Sequence, residues 1–265
     1  MSTSSETPLL FERDGAIARI KFNRPKVLNA LNVAAADALL EASQAIAADK
    51  SIRVVVISGE GRAFMAGGDI ASFRGPKEDA SSRLLRLIDP LHAALEILAG
   101  LQAPVIASLN GAVAGAGLSL ALAADLAIAA DNAIFTLAYS KIGTSPDGSS
   151  SWSLPRVVGV RKAMEIALLS ETFDATEALR LSIVNRVVPA ADLAAETNKL
   201  AERLASGPTL AYGQIKSLMR NSLGRSLSEQ LEAEADAFVE CAVTDDFDEG
   251  AAAFIDKRPP VFKGR

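Results

Sequence analysis

The sequence predicts an α/β fold, with a sheet-forming core over residues 1–190 and a helical C-terminal region over 191–265. Three observations carry this reading. Strand-length apolar runs alternate with helical stripes through the first half, the rhythm of a sheet covered by helices. The 265-residue chain is 49% hydrophobic but only 5% aromatic and is rich in alanine, so small and aliphatic side chains must fill the core between closely approaching elements. Beyond residue 190, apolar stripes at helical spacing follow one another.

In chain order, Phe11 and the run Ala16 to Phe22 read as an opening hairpin. Asn32 is placed to cap a helix from Val33 to about Ala48, with Ala36, Leu39, Leu40, Ile46 and Ala47 on one face. Arg53 to Ser58 is too apolar for a surface strand and reads as buried. A glycine-rich loop follows, then a helix marked by Leu84, Leu87, Leu91, Leu95 and Leu98, and strands at Val105 to Leu109 and Asp125 to Ala129. From Val160 the pattern is mainly helical, with an Asp174-x-x-Glu177 capping box and a short strand at Val184 to Val188. Three amphipathic helices close the chain, on Leu193, Leu200 and Leu204, on Leu210, Leu218 and Met219, and on Leu227, Leu231, Ala235 and Phe238. No low-complexity tract or fixed-period repeat is visible.

Composition narrows the function classes. A net charge of -5 offers no basic footprint for nucleic acid or an anionic membrane surface. The one cysteine, Cys241, excludes an internal disulfide framework and a thiolate zinc site and suits a reducing, cytoplasmic setting. Met1 to Pro8 has no signal-peptide or transit-peptide pattern. Ile97 to Ala124 lacks charge and is long enough to span a bilayer. Pro104, Asn110, Gly111, Gly115 and Gly117 divide it, however, so it reads as strand, loop and helix in a soluble protein. No residues have metal-ligand spacing, and no serine sits in a G-x-S-x-G elbow.

Two loops at strand ends have the composition of a ligand site. Gly59 to Ile70 contains Ala66-Gly67-Gly68-Asp69, and Asn110 to Gly117 contains Gly115-Ala116-Gly117. Neither has the spacing of a phosphate-binding motif, which makes ATP and NAD improbable partners. Each alone reads as a tight turn, but two backbone amides from separate loops can stabilise an oxyanion or enolate. A third segment, Tyr139 to Trp152, supplies Asp147. By position Asp147 is either a helix N-cap or a base; capping would lower its pKa, and apolar surroundings would raise it. His92 lies between Leu91 and Leu95 and reads as a solvated or helix-packing residue. Trp152 reads as core or pocket wall, and Asp125 and Asp131 as turn residues.

Taken in order, Asn23-Arg24-Pro25-Lys26-Val27-Leu28-Asn29-Ala30-Leu31, Gly61 to Asp69, and Asn110-Gly111 through Gly117 resemble the enoyl-CoA hydratase/isomerase (crotonase) family. Leu154-Pro155-Arg156, Gly159 and the ending Glu249-Gly250 through Phe262 extend the resemblance across nearly the whole chain. It implies a crotonase-like spiral of ββα units with a C-terminal helical trimerisation region, assembled as a homotrimer or hexamer. It implies an acyl-CoA thioester substrate, with coenzyme A as part of the substrate and no separate cofactor. The amides of Gly68 and Ala116 would form the oxyanion hole. Lys26, Val27 and Leu28 would line the nucleotide end and Ala66, Asp69 and Ile70 the adenine and pantetheine, with Gly67 and Gly115 also substrate-binding and Phe254 and Lys257 near the nucleotide.

The departures matter as much. Hydratases of this family carry glutamates where this chain has Ser119 and Tyr139, so both water-handling groups are missing. Asp147 stands where ring-opening and Δ3,Δ2-enoyl-CoA isomerases of the family carry an aspartate. Ser119 and Tyr139 would then be pocket walls, with the Tyr139 hydroxyl available to steer the substrate or the carboxylate. The leading expectation is an enoyl-CoA isomerase with Asp147 as the shuttling base. A hydratase with its base re-sited at Asp147, a non-catalytic acyl-CoA-binding subunit, and dehalogenase-like or hydrolase-like variants are the alternatives.

Overall fold

The computed structural model describes residues 7–265, so most of the stretch Met1 to Pro8 read for targeting signals lies outside the described residues. The opening hairpin is β1 (Leu9–Asp14) and β2 (Ile17–Phe22), paired antiparallel. After a 3-10 turn at Pro25–Val27, Asn32 caps α1 (Val33–Ala48) by accepting the amide of Ala35 at 3.0 Å. Next come β3 (Val54–Gly59) and β4 (Ala63–Met65), then α2 (Ile70–Phe73) and α3 (Ala80–Gly100). A second turn of the same plan is β5 (Val105–Leu109), β6 (Ala112–Ala114) and α4 (Ala116–Ala123). The third is β7 (Leu126–Ala130), β8 (Ile134–Thr136), a 3-10 turn at Tyr139–Ile142, and α5 (Ser150–Val158).

These turns explain the architecture. In each, the first strand joins one sheet, the next joins a second sheet, and a helix leads to the following turn. The larger sheet runs β1-β2-β3-β5-β7-β10, parallel from β2 onward, where β10 is Arg186–Val188. The smaller runs β4-β6-β8-β9, with β9 (Phe173–Asp174) antiparallel to β8. This is the expected spiral of ββα units. Its repeat is invisible in the sequence because insertions of different length separate successive turns. The loop readings of Gly59 to Ile70 and Asn110 to Gly117 need correction, since β4 and β6 lie inside them. Strands of three residues are too short to show a period.

The main core lies on one face of the larger sheet, where Val55 and Ile57 meet Ala35, Leu39, Leu91, Leu95 and Leu118. The opposite face presents Val54, Val56 and Ile106 to Ala201 and Leu204. Both faces of β3 are therefore covered, which is why its sequence is a continuous apolar run. Ala201 and Leu204 belong to α8 (Leu193–Ala205), reached through α6 (Val160–Leu169) and α7 (Ala175–Arg180). Asp174 accepts the amide of Glu177 at 2.8 Å, but the Glu177 carboxylate pairs with Arg180, so the reciprocal half of the expected capping box is not made. The tail continues as α9 (Thr209–Asn221) and α10 (Leu227–Ala242). A fourth helix the stripes had not revealed, α11 (Asp245–Ile255), is capped by Thr244. No helix among the described residues is long and apolar enough to cross a membrane.

Candidate active site

The two glycine loops touch. A Cβ on Gly117 would lie 2.2 Å from the carbonyl oxygen of Met65, and one on Gly115 would lie 3.3 Å from Cα of Gly67. Only glycine at 117 lets the start of α4 rest on the end of β4. Around this seam the flanking backbone is engaged: Leu31 donates to the Gly67 carbonyl, Asp69 donates to the Leu31 carbonyl, each at 2.8 Å, and Gly115 donates to Thr136 at 3.0 Å. Gly68 and Ala116 sit directly beside these engaged residues, one in each loop. Among the described residues, neither amide donates a hydrogen bond within the chain. Ala116 also opens an eight-residue helix, whose dipole favours negative charge at that end.

Asp147 reaches this neighbourhood from the loop before α5. It does not cap the helix: Ser149 holds the N-cap position, and the Asp147 carboxylate meets the His92 ring nitrogen Nε2 at 2.7 Å. The expected capping gives way to this pair, while His92 is solvent-exposed on α3 as expected and in addition holds the carboxylate. Its side chains are 46% exposed for His92 and 33% for Asp147, so the pair is partly open to solvent rather than enclosed in the protein interior. Within α3, Pro90 stands two residues before His92 and removes one helical amide.

The Asp147 main chain is held closely. Gly148 and Ser149 are both left-handed, at φ 61 and 73. Ser149 in that region costs of order 1 kcal/mol and persists because its surroundings dictate it. A Cβ on Gly148 would come within 3.1 Å of the Ser119 Cβ, so α4 and this loop are in direct contact. The Asp147 carbonyl accepts from the hydroxyls of Ser119 at 2.7 Å, Ser150 at 2.9 Å and Tyr139 at 3.2 Å. The Ser119 and Tyr139 hydroxyls are 3.1 Å apart. Burial pushes the Tyr139 phenol above its ordinary pKa, the nearby Asp147 charge adds to this, and the Ser119 hydrogen bond partly opposes it. Tyr139 is therefore a neutral donor at physiological pH. Ser119 lies one helical turn after Ala116, about 4.5 Å further along the axis, which sets Asp147 beside the seam.

The segment resembling a nucleotide-end binder is stitched to the first glycine loop. Asn29, 1% exposed, donates to the carbonyls of Ala63 at 2.7 Å and Glu60 at 3.0 Å, and accepts the Arg24 amide at 2.8 Å. Ala66 donates to Leu28 at 3.0 Å, and Arg24 pairs with Asp69 at 3.0 Å. Lys26, Val27 and Ile70 are exposed along this edge, while Leu28, Ala66 and Asp69 are half-buried and Gly67 is buried. Phe254 and Lys257 are not brought to it. Phe254 is 87% exposed on α11, and the chain end folds back on Arg53 at the start of β3, the end opposite the loops. Trp152 is 43% exposed under the Arg156 guanidinium at 3.9 Å, so it is not core. His92, Ser150 and Asn29 were given no site role from the sequence; Asn29 stood within the family-resembling motif, and the hydroxyl-rich run Ser149-Ser150-Ser151 contained Ser150.

The model of the enoyl-CoA hydratase/isomerase family matches residues 12–265, so the chain belongs to that family. It is an acyl-CoA enzyme of the crotonase superfamily. A probable enoyl-CoA hydratase of Rhodobacter capsulatus is 38% identical, covering 96% of this chain and 97% of its own. A 1,2-epoxyphenylacetyl-CoA isomerase of Escherichia coli is 36% identical, over 97% of this chain and 98% of its own. A 4-chlorobenzoyl-CoA dehalogenase of an Arthrobacter species is 34% identical, over 97% and 94%. The crystal structure of an enoyl-CoA hydratase from a Polaromonas species superposes with a TM-score of 0.91 at 36% identity, covering 96% of this chain and 99% of that one.

Proposed function

We propose that the protein is an enoyl-CoA isomerase that shifts a double bond with Asp147 as its single proton carrier. One observation carries the reading: the Asp147 main chain is held against α4, whose first residue is Ala116, and the hydroxyls of Ser119 and Tyr139, at the positions of the hydratase glutamates, are engaged with its carbonyl and with each other. Hydration needs one group to deprotonate water and another to protonate the α carbon. Here neither hydroxyl is an acid near neutrality. Isomerisation needs one base. Asp147 takes a proton from the carbon beside the thioester, the amides of Gly68 and Ala116 hold the dienolate oxygen, and the same carboxyl returns the proton two carbons along. Each amide contributes on the order of 3 kcal/mol to such stabilisation. His92 holds the carboxylate oriented between the two transfers.

Lys26, Val27, Leu28, Ala66, Gly67, Asp69, Ile70 and Gly115 would line the coenzyme A and thioester path. Exposed Leu223, Leu227, Phe238, Val243 and Phe254 on the tail suit assembly as a homotrimer or hexamer. Asp147→Asn should abolish conversion of a 3-enoyl-CoA to its 2-enoyl isomer while leaving Kd for the CoA ester within about threefold. Turnover at the wild-type rate in that variant would end the proposal, and rapid hydration of crotonyl-CoA by the wild type would shift it to a hydratase.

The His92–Asp147 pair also favours a second reading, because a carboxylate beside a histidine is a nucleophile with its base. The Asp147 oxygen would displace a leaving group such as chloride from an aryl carbon of the acyl group. Water deprotonated by His92 would then cleave the resulting ester and regenerate the carboxylate. Chloride release from 4-chlorobenzoyl-CoA supports this reading; its absence leaves the isomerase.

A further inference from the structure

The hydroxyl groups around Asp147 are more numerous than its carbonyl can use. A carbonyl oxygen has two lone pairs. The two shortest donors are Ser119 at 2.7 Å and Ser150 at 2.9 Å, and both side chains are buried, at 1% and 0% exposure. With those places taken, the Tyr139 proton is best directed at Ser119 Oγ, 3.1 Å away, rather than at the carbonyl at 3.2 Å. The result is a relay in which Tyr139 donates to Ser119 and Ser119 donates to the Asp147 carbonyl, with Ser150 as a second support.

Helix formation does not require this arrangement. The donors come from three elements, α4, the turn at Tyr139–Ile142 and α5, and they converge on one peptide group whose own side chain points elsewhere, to His92. The two following residues are left-handed, so the loop conformation depends on external support. We propose that Ser119, Ser150 and Tyr139 are positioning residues that fix the Asp147 main chain and so set where its carboxylate meets the acyl group. This rests on Asp147 being the base. A base that must reach two carbons in turn tolerates little displacement, since a shift near 1 Å can cost on the order of 100-fold in rate.

The test uses the full chain with Ser119→Ala, Ser150→Ala, Tyr139→Phe and the double variant Ser119→Ala/Tyr139→Phe. Turnover of a 3-enoyl-CoA is followed together with exchange of the α protons of a saturated acyl-CoA into heavy water. Ser119→Ala and Ser150→Ala should each lower kcat about 10- to 100-fold with KM within about twofold of wild type, and α-proton exchange should slow in step. Tyr139→Phe should have a smaller effect that vanishes when Ser119 is already alanine, because the relay passes through Ser119. A purely structural role would give additive losses that follow thermal stability. Wild-type kcat in both serine variants, or full additivity of the Ser119 and Tyr139 changes, overturns the proposal. Should Ser119→Ala fail to fold, Ser150→Ala decides by the same kcat and KM comparison. Asp147→Asn separates the two levels: if it is inactive while the serine variants run at the wild-type rate, positioning alone is wrong. If it retains both activities, the functional reading falls and the positioning role with it.

Discussion

His92 and Asp147 stand 55 positions apart in the chain yet share a 2.7 Å hydrogen bond. At the residue scale this pair marks the limit of sequence reading. Asp147 was recognisable as the carboxylate of the third segment, but that it pairs with His92 rather than capping the helix depended on where α3 passes. His92 sits on an otherwise ordinary amphipathic stripe, and nothing local distinguishes it. A hydrogen bond to a charged group contributes about 1.5–3 kcal/mol when well placed, and less at half-exposed sites such as this. For the isomerase, His92→Gln should therefore reduce kcat about tenfold and leave measurable turnover. Complete loss would show that His92 itself carries a step, as the displacement reading requires. Asp125 was likewise read as a turn residue. It does lie in the bend between α4 and β7, and there it also accepts the Val105 amide and pairs with Lys216 and Arg220.

At the scale of elements, long periodic segments were legible and short ones were not. α1, α3 and the strands of the larger sheet announce themselves by apolar spacing and by Asn32. The strands of the smaller sheet, two or three residues each, exist because neighbouring turns of the spiral pair with them, and only the family resemblance implied them. Their packing can be tested at Gly117. A methyl there would meet the Met65 carbonyl at 2.2 Å and drive α4 from β4. Gly117→Ala should cost about 1–3 kcal/mol in urea unfolding. It should lower turnover by at least 100-fold in the folded fraction, because separating the loops separates the amides of Gly68 and Ala116. A folded variant with wild-type turnover would show that the seam is not where the thioester is activated.

On the scale of the whole molecule, the attachment of α9 was the least legible feature, because it includes ionic contacts between distant segments. Lys216 on α9 reaches Asp125 at 2.7 Å and the Ala103 carbonyl at 2.9 Å, while Arg220 reaches Asp125 at 2.8 Å and the Ala123 carbonyl at 2.8 Å. Burial pushes the Lys216 pKa down, against the opposing pull of Asp125. Removing one partner of such a cluster leaves an uncompensated buried charge. Asp125→Ala should thus destabilise the protein by about 3–5 kcal/mol and raise amide exchange along α9. A loss under 1 kcal/mol would mean that apolar contacts alone hold the helix.

Asn29 gives the molecule a mechanical property. Its amide, with the Arg24–Asp69 pair and the Ala66–Leu28 hydrogen bond, welds the strip that resembles a nucleotide-end binder to the loop bearing Gly68. A displacement of the strip would therefore carry over to the Gly68 loop through these contacts. If that strip holds the nucleotide, as proposed, a shortened carrier arm lacking it would forgo the binding energy delivered there and so slow the chemical step itself, beyond simply loosening the grip on the ligand.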